Sequence, residues 1–257
     1  MTRVTGIVKI TDANGNVKVY KNQVQSQFIQ SIIQYASLGG TISNYAYSIQ
    51  LLDANGNIVA VYTGSLSYKQ VSTSLNAVFS FIITNITQSV SQLQLYLTSS
   101  LGTFLIAVVN NVSLPLNTTL QIEWSIAFST SINDYFTPYL VFAFLSPPSS
   151  TTPFTNAPAP NTQNAINIIT NSGYLTSPPV YYVTYSGQTI KVTPSITSNS
   201  ITIVYNLSNF TSATSLTNIS LYATGQSGNV NLVPSVQQLS VQVGQAVTIY
   251  YEATWST

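Results

Sequence analysis

Alternating apolar and polar residues run through most of the chain and predict β-strands. In residues 93–97 and 121–128, every second side chain is large and apolar. A period of two places these side chains on one face of a strand, against a core. Strands are predicted near residues 3–10, 17–21, 44–52, 57–62, 76–83, 91–98, 103–108 and 118–128, and again near 139–145, 179–185, 188–194, 200–206, 217–223, 229–233, 238–243 and 246–255.

Apolar residues spaced by four predict one amphipathic helix in the first half. Val24, Phe28, Ile32 and Ala36 share a face, Asn22 is a candidate N-cap, and glycines at 39 and 40 end the pattern. The helix either closes one end of its own sandwich, which is favoured, or packs on a partner subunit. A shorter helix is predicted near residues 162–171, after a proline-rich loop over residues 146–160.

The two halves of the chain resemble each other, which indicates a duplication. Trp124 aligns with Tyr251 and Phe128 with Trp255, residues 95–98 align with 221–224, and residues 85–87 align with 209–211, so the offset drifts from about 124 to about 127 residues. The predicted fold is all-β, with two tandem jelly-roll-like β-sandwiches over residues 1–130 and 133–257. Each would carry one short helix after its first strands, and residues 139–145 would form the first strand of the second sandwich. A pair of fibronectin-like sandwiches is the alternative.

The composition is nearly free of charge, which limits the classes of function. Charged residues make up 4% of the chain and the net charge is +1, whereas about 25% is usual. No basic stripe is present, so direct nucleic-acid binding is not expected. Few carboxylates and no histidines can couple folding to protons, so stability should change little between about pH 7 and pH 2.

The residue types required for most catalytic sites are missing. The chain has no histidine and no cysteine, which excludes Ser–His and Cys–His catalysis and most transition-metal sites. Glu123 and Glu252 occupy corresponding strands of different halves and have no carboxylate partner nearby in sequence. Residues 12–16 and 53–57 both read Asp-Ala-Asn-Gly-Asn, which favours hairpin turns over calcium loops. We therefore expect no enzyme activity, no cofactor and no metal.

Two further groups of residues are candidates for contacts or modification. The aromatic residues Tyr135, Phe136 and Tyr139 at the junction of the halves predict an interdomain contact or a subunit contact. Six Asn-x-Ser/Thr sequons would allow glycosylation if the host modifies the protein, although chance alone explains their number. They are Asn85, Asn111, Asn117, Asn206, Asn209 and Asn218.

The N-terminus shows no signal peptide, and no apolar run reaches the length of about 18 residues that a membrane span requires. We expect a protein that acts inside a cell or leaves it in a particle.

The tandem halves, the ending Gly-Gln-Ala-Val-Thr-Ile-Tyr-Tyr-Glu-Ala-Thr-Trp over residues 244–255, and the nearly chargeless surface without cysteine or histidine carry a resemblance. The chain resembles jelly-roll virion structural proteins, of capsid, penton or turret type, of icosahedral viruses that infect thermoacidophilic archaea.

That resemblance implies a self-assembling virion component without a cofactor, located in the virion after assembly in the host cytoplasm. Its partners would be further copies of itself and other virion proteins, with host surface glycans as an additional partner. We expect a homo-oligomer of five-fold or three-fold symmetry, with residues 134–160 close to a contact. A cellular surface or filament subunit and a carbohydrate-binding adhesin module are the alternative functions.

Overall fold

The computed structural model describes residues 1–149, 154–207 and 210–257. The first half contains nine strands and one helix, in the order β1 (Thr2–Asp12), β2 (Val17–Lys21), β3 (Gln23–Val24), α1 (Ser26–Leu38), β4 (Ala46–Leu52), β5 (Ile58–Val71), β6 (Ser74–Ile83), β7 (Gln92–Ser99), β8 (Gly102–Asn110) and β9 (Leu120–Ser129). The prediction of a mostly β chain is confirmed, and the alternation in residues 121–128 is the alternating burial of β9.

The second half begins with two helices and continues with strands. Its described elements are α2 (Phe136–Leu145), α3 (Pro160–Ser172), β10 (Tyr181–Tyr185), β11 (Gln188–Val192), β12 (Ser195–Ile196), β13 (Ser200–Leu207), β14 (Thr214–Thr224), β15 (Asn229–Asn231), β16 (Val236–Val241) and β17 (Val247–Ser256). The predicted proline-rich loop 146–160 lies partly outside the described residues.

The strand predicted at residues 139–145 is wrong, because these residues belong to helix α2. Every side chain of α2 is buried, so the helix shows no amphipathic period and reads as a buried strand of the same length. Pro138 lies in the first helical turn, where a missing N–H is tolerated. The expectation of one helix after the first strands of each half therefore fails for the second half, which starts with α2 and α3.

Strand pairing repeats from one half to the other. Strand β4 pairs with β5 and β7, and its counterpart β10 pairs with β11 and β14. Likewise β6 pairs with β9, and β13 pairs with β17. These matching antiparallel ladders support the duplication that the sequence indicates. The finer assignment to two tandem jelly rolls stays a prediction.

Helices α1 and α3 also end in the same way. Gly39 and Gly173 follow them with φ of 59° and 66°, a left-handed conformation that glycine adopts without steric cost. At Gly39 no other residue fits, since an added Cβ would lie 1.8 Å from the carbonyl oxygen of Thr176. The glycines at 39 and 40 therefore mark the end of α1 as the sequence predicts.

One hydrophobic core extends through both halves. A single cluster of buried residues contains Phe79 and Trp124 of the first half together with Ile203 and Trp255 of the second. Hydrogen-bonded strands also cross the junction, because β1 pairs with β9 on one side and meets the end of β17 in parallel at Trp255 and Ser256 on the other. The boundaries 1–130 and 133–257 stay a prediction.

Candidate functional site

The junction between the halves is organised around the buried carboxylate of Asp134. Its Oδ1 accepts hydrogen bonds from the backbone N–H of Thr137 at 3.0 Å and from the Tyr251 hydroxyl at 3.1 Å, and its Oδ2 accepts one from the Thr130 hydroxyl at 2.8 Å. The first bond satisfies an N–H group at the start of α2 that has no partner within the helix. Asp134 thereby joins the start of α2 to strand β17.

The predicted contact residues at the junction face the interior of the chain. Phe136 and Tyr139 have no exposed surface, and the Phe136 ring makes edge contacts with Tyr181 and Tyr251 of the second half. Tyr135 is half-buried. This geometry suits packing between the halves. Because Tyr139 is buried, a substitution there would disturb the fold and could not report on contact between subunits.

Tyrosine hydroxyls bind the carbonyl groups at the end of helix α2. The hydroxyl of Tyr45 donates to the Ala143 carbonyl at 2.7 Å, and that of Tyr47 to the Leu145 carbonyl at 2.8 Å. The Tyr68 hydroxyl donates to the carbonyl of the next residue, Ser146, at 2.6 Å. The last carbonyls of a helix lack partners within it and are commonly bound by water or basic side chains. Here, neutral donors take that role: Tyr47 on β4, Tyr68 on β5, and Tyr45 directly before β4.

Tyrosine hydroxyls also bind carbonyl groups at the ends of helices α1 and α3. The Tyr181 hydroxyl donates to the Ala36 carbonyl in the last turn of α1, and the Tyr139 hydroxyl donates at 2.9 Å to the carbonyl of Gly173, directly after α3. None of the three helices has a basic residue in its last turn. Tyrosine side chains therefore supply uncharged helix caps in this fold.

Burial makes these hydroxyls poor acids. Loss of solvation raises the pKa of Tyr47 to about 12, with smaller effects from its neighbours. Burial likewise raises the pKa of Tyr68, Tyr139 and Tyr181 above the ordinary value, and for Tyr251 the negative charge of Asp134 adds to the effect. The hydroxyls consequently remain donors throughout acid and neutral pH.

The two Asp-Ala-Asn-Gly-Asn segments form the predicted turns. In the first, the Asp12 carboxylate accepts bonds from the N–H groups of Asn14 and Asn16 and from the Asn16 amide; Asp53 accepts the same set in the second. The hydrogen bonds from the side-chain amides of Asn16 and Asn57 are the main cause of the lowered pKa of the Asp12 and Asp53 carboxyls. Within the described ranges, no group of three or more His, Cys, Asp or Glu side chains could hold a metal ion.

The sequon asparagines that the structure describes are all exposed. Four of them adopt the left-handed conformation, which asparagine tolerates better than most residues; they are Asn85, Asn111, Asn117 and Asn218, with φ between 51° and 59°. Asn206 lies in β13 and accepts a hydrogen bond from Thr248, and Asn209 lies outside the described residues. Backbone geometry thus accounts for four of these asparagines, and their glycosylation stays a prediction.

The two glutamates lie on solvent-facing strand positions. Glu123 is 3.5 Å from the Lys9 ammonium in an exposed ion pair, which contributes little to stability. Glu252 accepts hydrogen bonds from the hydroxyls of Tyr250 and Thr254. Neither contact places a second carboxylate beside them. None of the helices in the described part of the chain is long and apolar enough to cross a membrane.

Strand β17 presents an unpaired edge that its counterpart β9 does not. Strand β9 pairs with β6 and with β1 along its whole length. Strand β17 pairs with β13 from Val247 to Thr254, but on its other side the described residues pair with it only at Trp255 and Ser256. The exposed side chains of Thr248, Tyr250 and Glu252 lie along this stretch. Open sheet edges are sites where further strands can bind.

Comparison with known proteins gives one full-length relative. The chain is 56% identical over 256 residues to "Uncharacterized protein ORF258" of Acidianus filamentous virus 2 (isolate Italy/Pozzuoli), covering 100% of this chain and 99% of that protein. The chain belongs to the family of this viral protein. No family model and no solved structure matches the chain.

This relationship supports the viral origin that the resemblance implied, in a virus of thermoacidophilic archaea. The name of the relative's virus describes a filament, whereas the resemblance pointed to icosahedral particles. The roles of capsid, penton or turret protein receive no support from this comparison.

Proposed function

We propose that the protein is a non-enzymatic structural component of a virion, which assembles through its strand edges. The observation that carries the proposal is the full-length relative in a filamentous virus. The viral protein and this chain align over nearly their full lengths, so the proposal concerns the whole chain and not one part of it. Because the relative's virus is named filamentous, a filament replaces the penton and the turret as the location to test.

The chemistry of the fold supports a role in a particle exposed to acid. Helix ends are capped by tyrosine hydroxyls and the surface has few ionisable groups. Carboxylates that are paired in the folded state become protonated in acid, and their contribution is lost. Neutral hydroxyl caps keep their bonds over that range, which suits a protein that must stay folded outside the host cell.

Analysis of purified virions tests the proposal. We expect mass spectrometry to find the protein in virions at a ratio that stays fixed through repeated gradient purification, and immunogold labelling to mark the particle surface. As a control, a virus-encoded replication protein should fall away over the same steps. Abundant protein in infected cells together with its absence from purified particles would contradict a structural role.

A row of side chains across the second sheet favours attachment to neutral glycans as a second candidate function. On one face, Lys191, Tyr182, Tyr222 and Asn231 are successive cross-strand neighbours on β11, β10, β14 and β15. The two half-exposed tyrosine rings stack with centroids 5.4 Å apart. Aromatic rings flanked by hydrogen-bonding groups are a common composition for ligand sites.

Binding to a glycan array would test this second function. The double variant Tyr182→Ala/Tyr222→Ala should lose binding while keeping its circular dichroism spectrum. Tyr250→Ala, which removes an exposed tyrosine of a different sheet, is the matched control. Equal binding by wild type and the double variant would exclude this face as the site.

A further inference from the structure

We propose that the open edge of β17 pairs with the same edge of a second copy, forming a two-fold symmetric dimer through a continuous β-sheet. The duplication supplies the first argument. Strand β9 receives the antiparallel strand β1 over ten residue pairs, from Arg3–Ser129 to Asp12–Leu120. In the second half the chain folds into helix α2 where the first half forms β1, so among the described residues no strand takes the corresponding place beside β17.

Backbone direction at this edge favours another antiparallel strand. The Trp255 N–H donates to the Asn199 carbonyl beside β13. Backbone groups alternate between the two sides of a strand, so those of Thr248, Tyr250 and Glu252 face away from β13, toward the open side. Their side chains are exposed, so neither these side chains nor the core prevents a strand from approaching.

The sequence of β17 lacks the features that protect edges from pairing. Exposed edge strands usually carry lysine or proline; β2 has two lysines and β11 has one. Strand β17 has neither residue type, and Glu252 is its one charged side chain. Strand β16 is also free of lysine and proline. Its counterpart in the first half is β8, which lies at the edge of its sheet and has only the two-residue strand β3 beyond it. The duplication therefore predicts no partner strand for β16.

A second copy can pair with the open edge of β17 in one defined register. Centring the two-fold axis on Tyr250 places Tyr250 opposite its own equivalent and Thr248 opposite Glu252 of the other copy. Three pairs of facing residues form, with about six N–H···O=C hydrogen bonds. The two Glu252 carboxylates stay apart, and each faces a neutral threonine. The Tyr250 rings, 57% exposed in the monomer, form a cross-strand aromatic pair.

The surrounding chain leaves room for this arrangement. Before Val247 the chain turns at Gly244, where φ is 78°, and comes from β16, which pairs with β14 in the other sheet. Centring on Tyr250 places Val247, the first residue of the partner's β17, opposite Ala253, so the paired strands end two residues before Trp255, beside which Thr2 lies. A self-complementary contact of this kind closes as a dimer. Such a dimer would form whether or not the protein enters a virion.

Single cysteine variants test the register, because the chain contains no cysteine. In Tyr250→Cys the two Cα atoms of the dimer would be about 5.5 Å apart, within the range for a disulfide of about 4.4–6.8 Å. In the control Thr248→Cys, each cysteine would face Glu252 of the other copy. The Cα atoms of the two cysteines would then lie four residues apart along the strands, about 13 Å. Mild oxidation should therefore give a covalent dimer of Tyr250→Cys in high yield and little of Thr248→Cys.

Light scattering of chains without cysteine gives an independent readout. Wild type and Tyr250→Thr, which keeps the backbone N–H, should be dimers at micromolar concentration. Tyr250→Pro, which removes an N–H that faces only the partner, should be monomeric. A monomeric wild type, an oligomer in which Tyr250→Cys does not crosslink, or equal crosslinking of the two cysteine variants would overturn the proposal.

Discussion

Six tyrosine side chains are at most 9% exposed, and their ionisation should unfold the protein in alkali; they are Tyr35, Tyr47, Tyr68, Tyr139, Tyr181 and Tyr251. Burial raises the pKa of every one above the ordinary value of 10.0. A group with a raised folded pKa stabilises the folded state fully below its unfolded pKa. That contribution is lost as the pH rises toward the folded pKa.

The size of the effect follows from proton counting. Above about pH 10 each tyrosine of the unfolded chain loses a proton that the folded chain retains, which lowers the free energy of unfolding by about 1.4 kcal/mol per pH unit. Six such groups give roughly 8 kcal/mol per pH unit. Since domains are stable by about 5–15 kcal/mol, unfolding should occur between about pH 10.5 and pH 12.

Two signals recorded during one alkaline titration measure this. Circular dichroism follows the fold and ultraviolet absorbance follows tyrosinate, and both should change together in one steep, cooperative step after the exposed tyrosines have titrated. In Tyr68→Phe one coupled proton is removed, so the free energy of unfolding should fall less steeply with pH, by about 1.4 kcal/mol per pH unit. Tyr250→Phe should reduce the slope less than Tyr68→Phe does, because an exposed hydrogen bond to Glu252, more than burial, raises the pKa of Tyr250.

The reasoning would be refuted by complete tyrosine ionisation near pH 10 with an unchanged circular dichroism spectrum. That result would mean that the hydroxyls reach solvent without unfolding, and that burial does not hold their protons. Unfolding well below pH 10 would also contradict the reasoning, because there the tyrosines keep their protons in the folded and the unfolded chain alike.

Three further outcomes follow from particular residues. The lowered pKa values of Asp12 and Asp53 contribute stability that is lost as pH falls through those values, so the melting temperature should hold to about pH 4 and then fall slightly, less so in Asp12→Asn/Asp53→Asn. Asp134→Ala leaves three donors without their acceptor and should lower the free energy of unfolding in urea by about 2–4 kcal/mol. Gly39→Ala should prevent folding, as judged by circular dichroism, because its Cβ would collide with backbone; Gly15→Ala, with nothing nearby, should cost about 1–2 kcal/mol.

Local patterns in the sequence predict the elements whose two faces differ. Strand β9 alternates between core and solvent, and helix α1 buries Phe28 and Ile32 on one side, so the periods of 2 and 3.6 residues are visible. Helix α2 has no exposed face and gives no period. Pro138, set in the first turn, was a signal for a helix start that the apolar run obscured.

The tyrosine caps could not be predicted from the sequence for a different reason. Tyr47 and Leu145 are 98 residues apart, and Tyr181 and Ala36 are 145 apart. Nothing near either tyrosine marks its partner, since the contact arises only when a strand of one half packs across a helix end of the other. The abundance of tyrosine is visible in the composition, but its use in capping is a property of the tertiary fold.

Helix α2 links the two main departures from a simple tandem repeat. In the first half the opening segment of the chain forms β1, which completes the sheet beside β9. In the second half the corresponding segment coils into α2 and buries all ten of its side chains in a core that both halves share. The same segment cannot also lie beside β17, so filling the core leaves that strand edge open. The joining of the halves and the surface available to a second copy therefore have one structural cause.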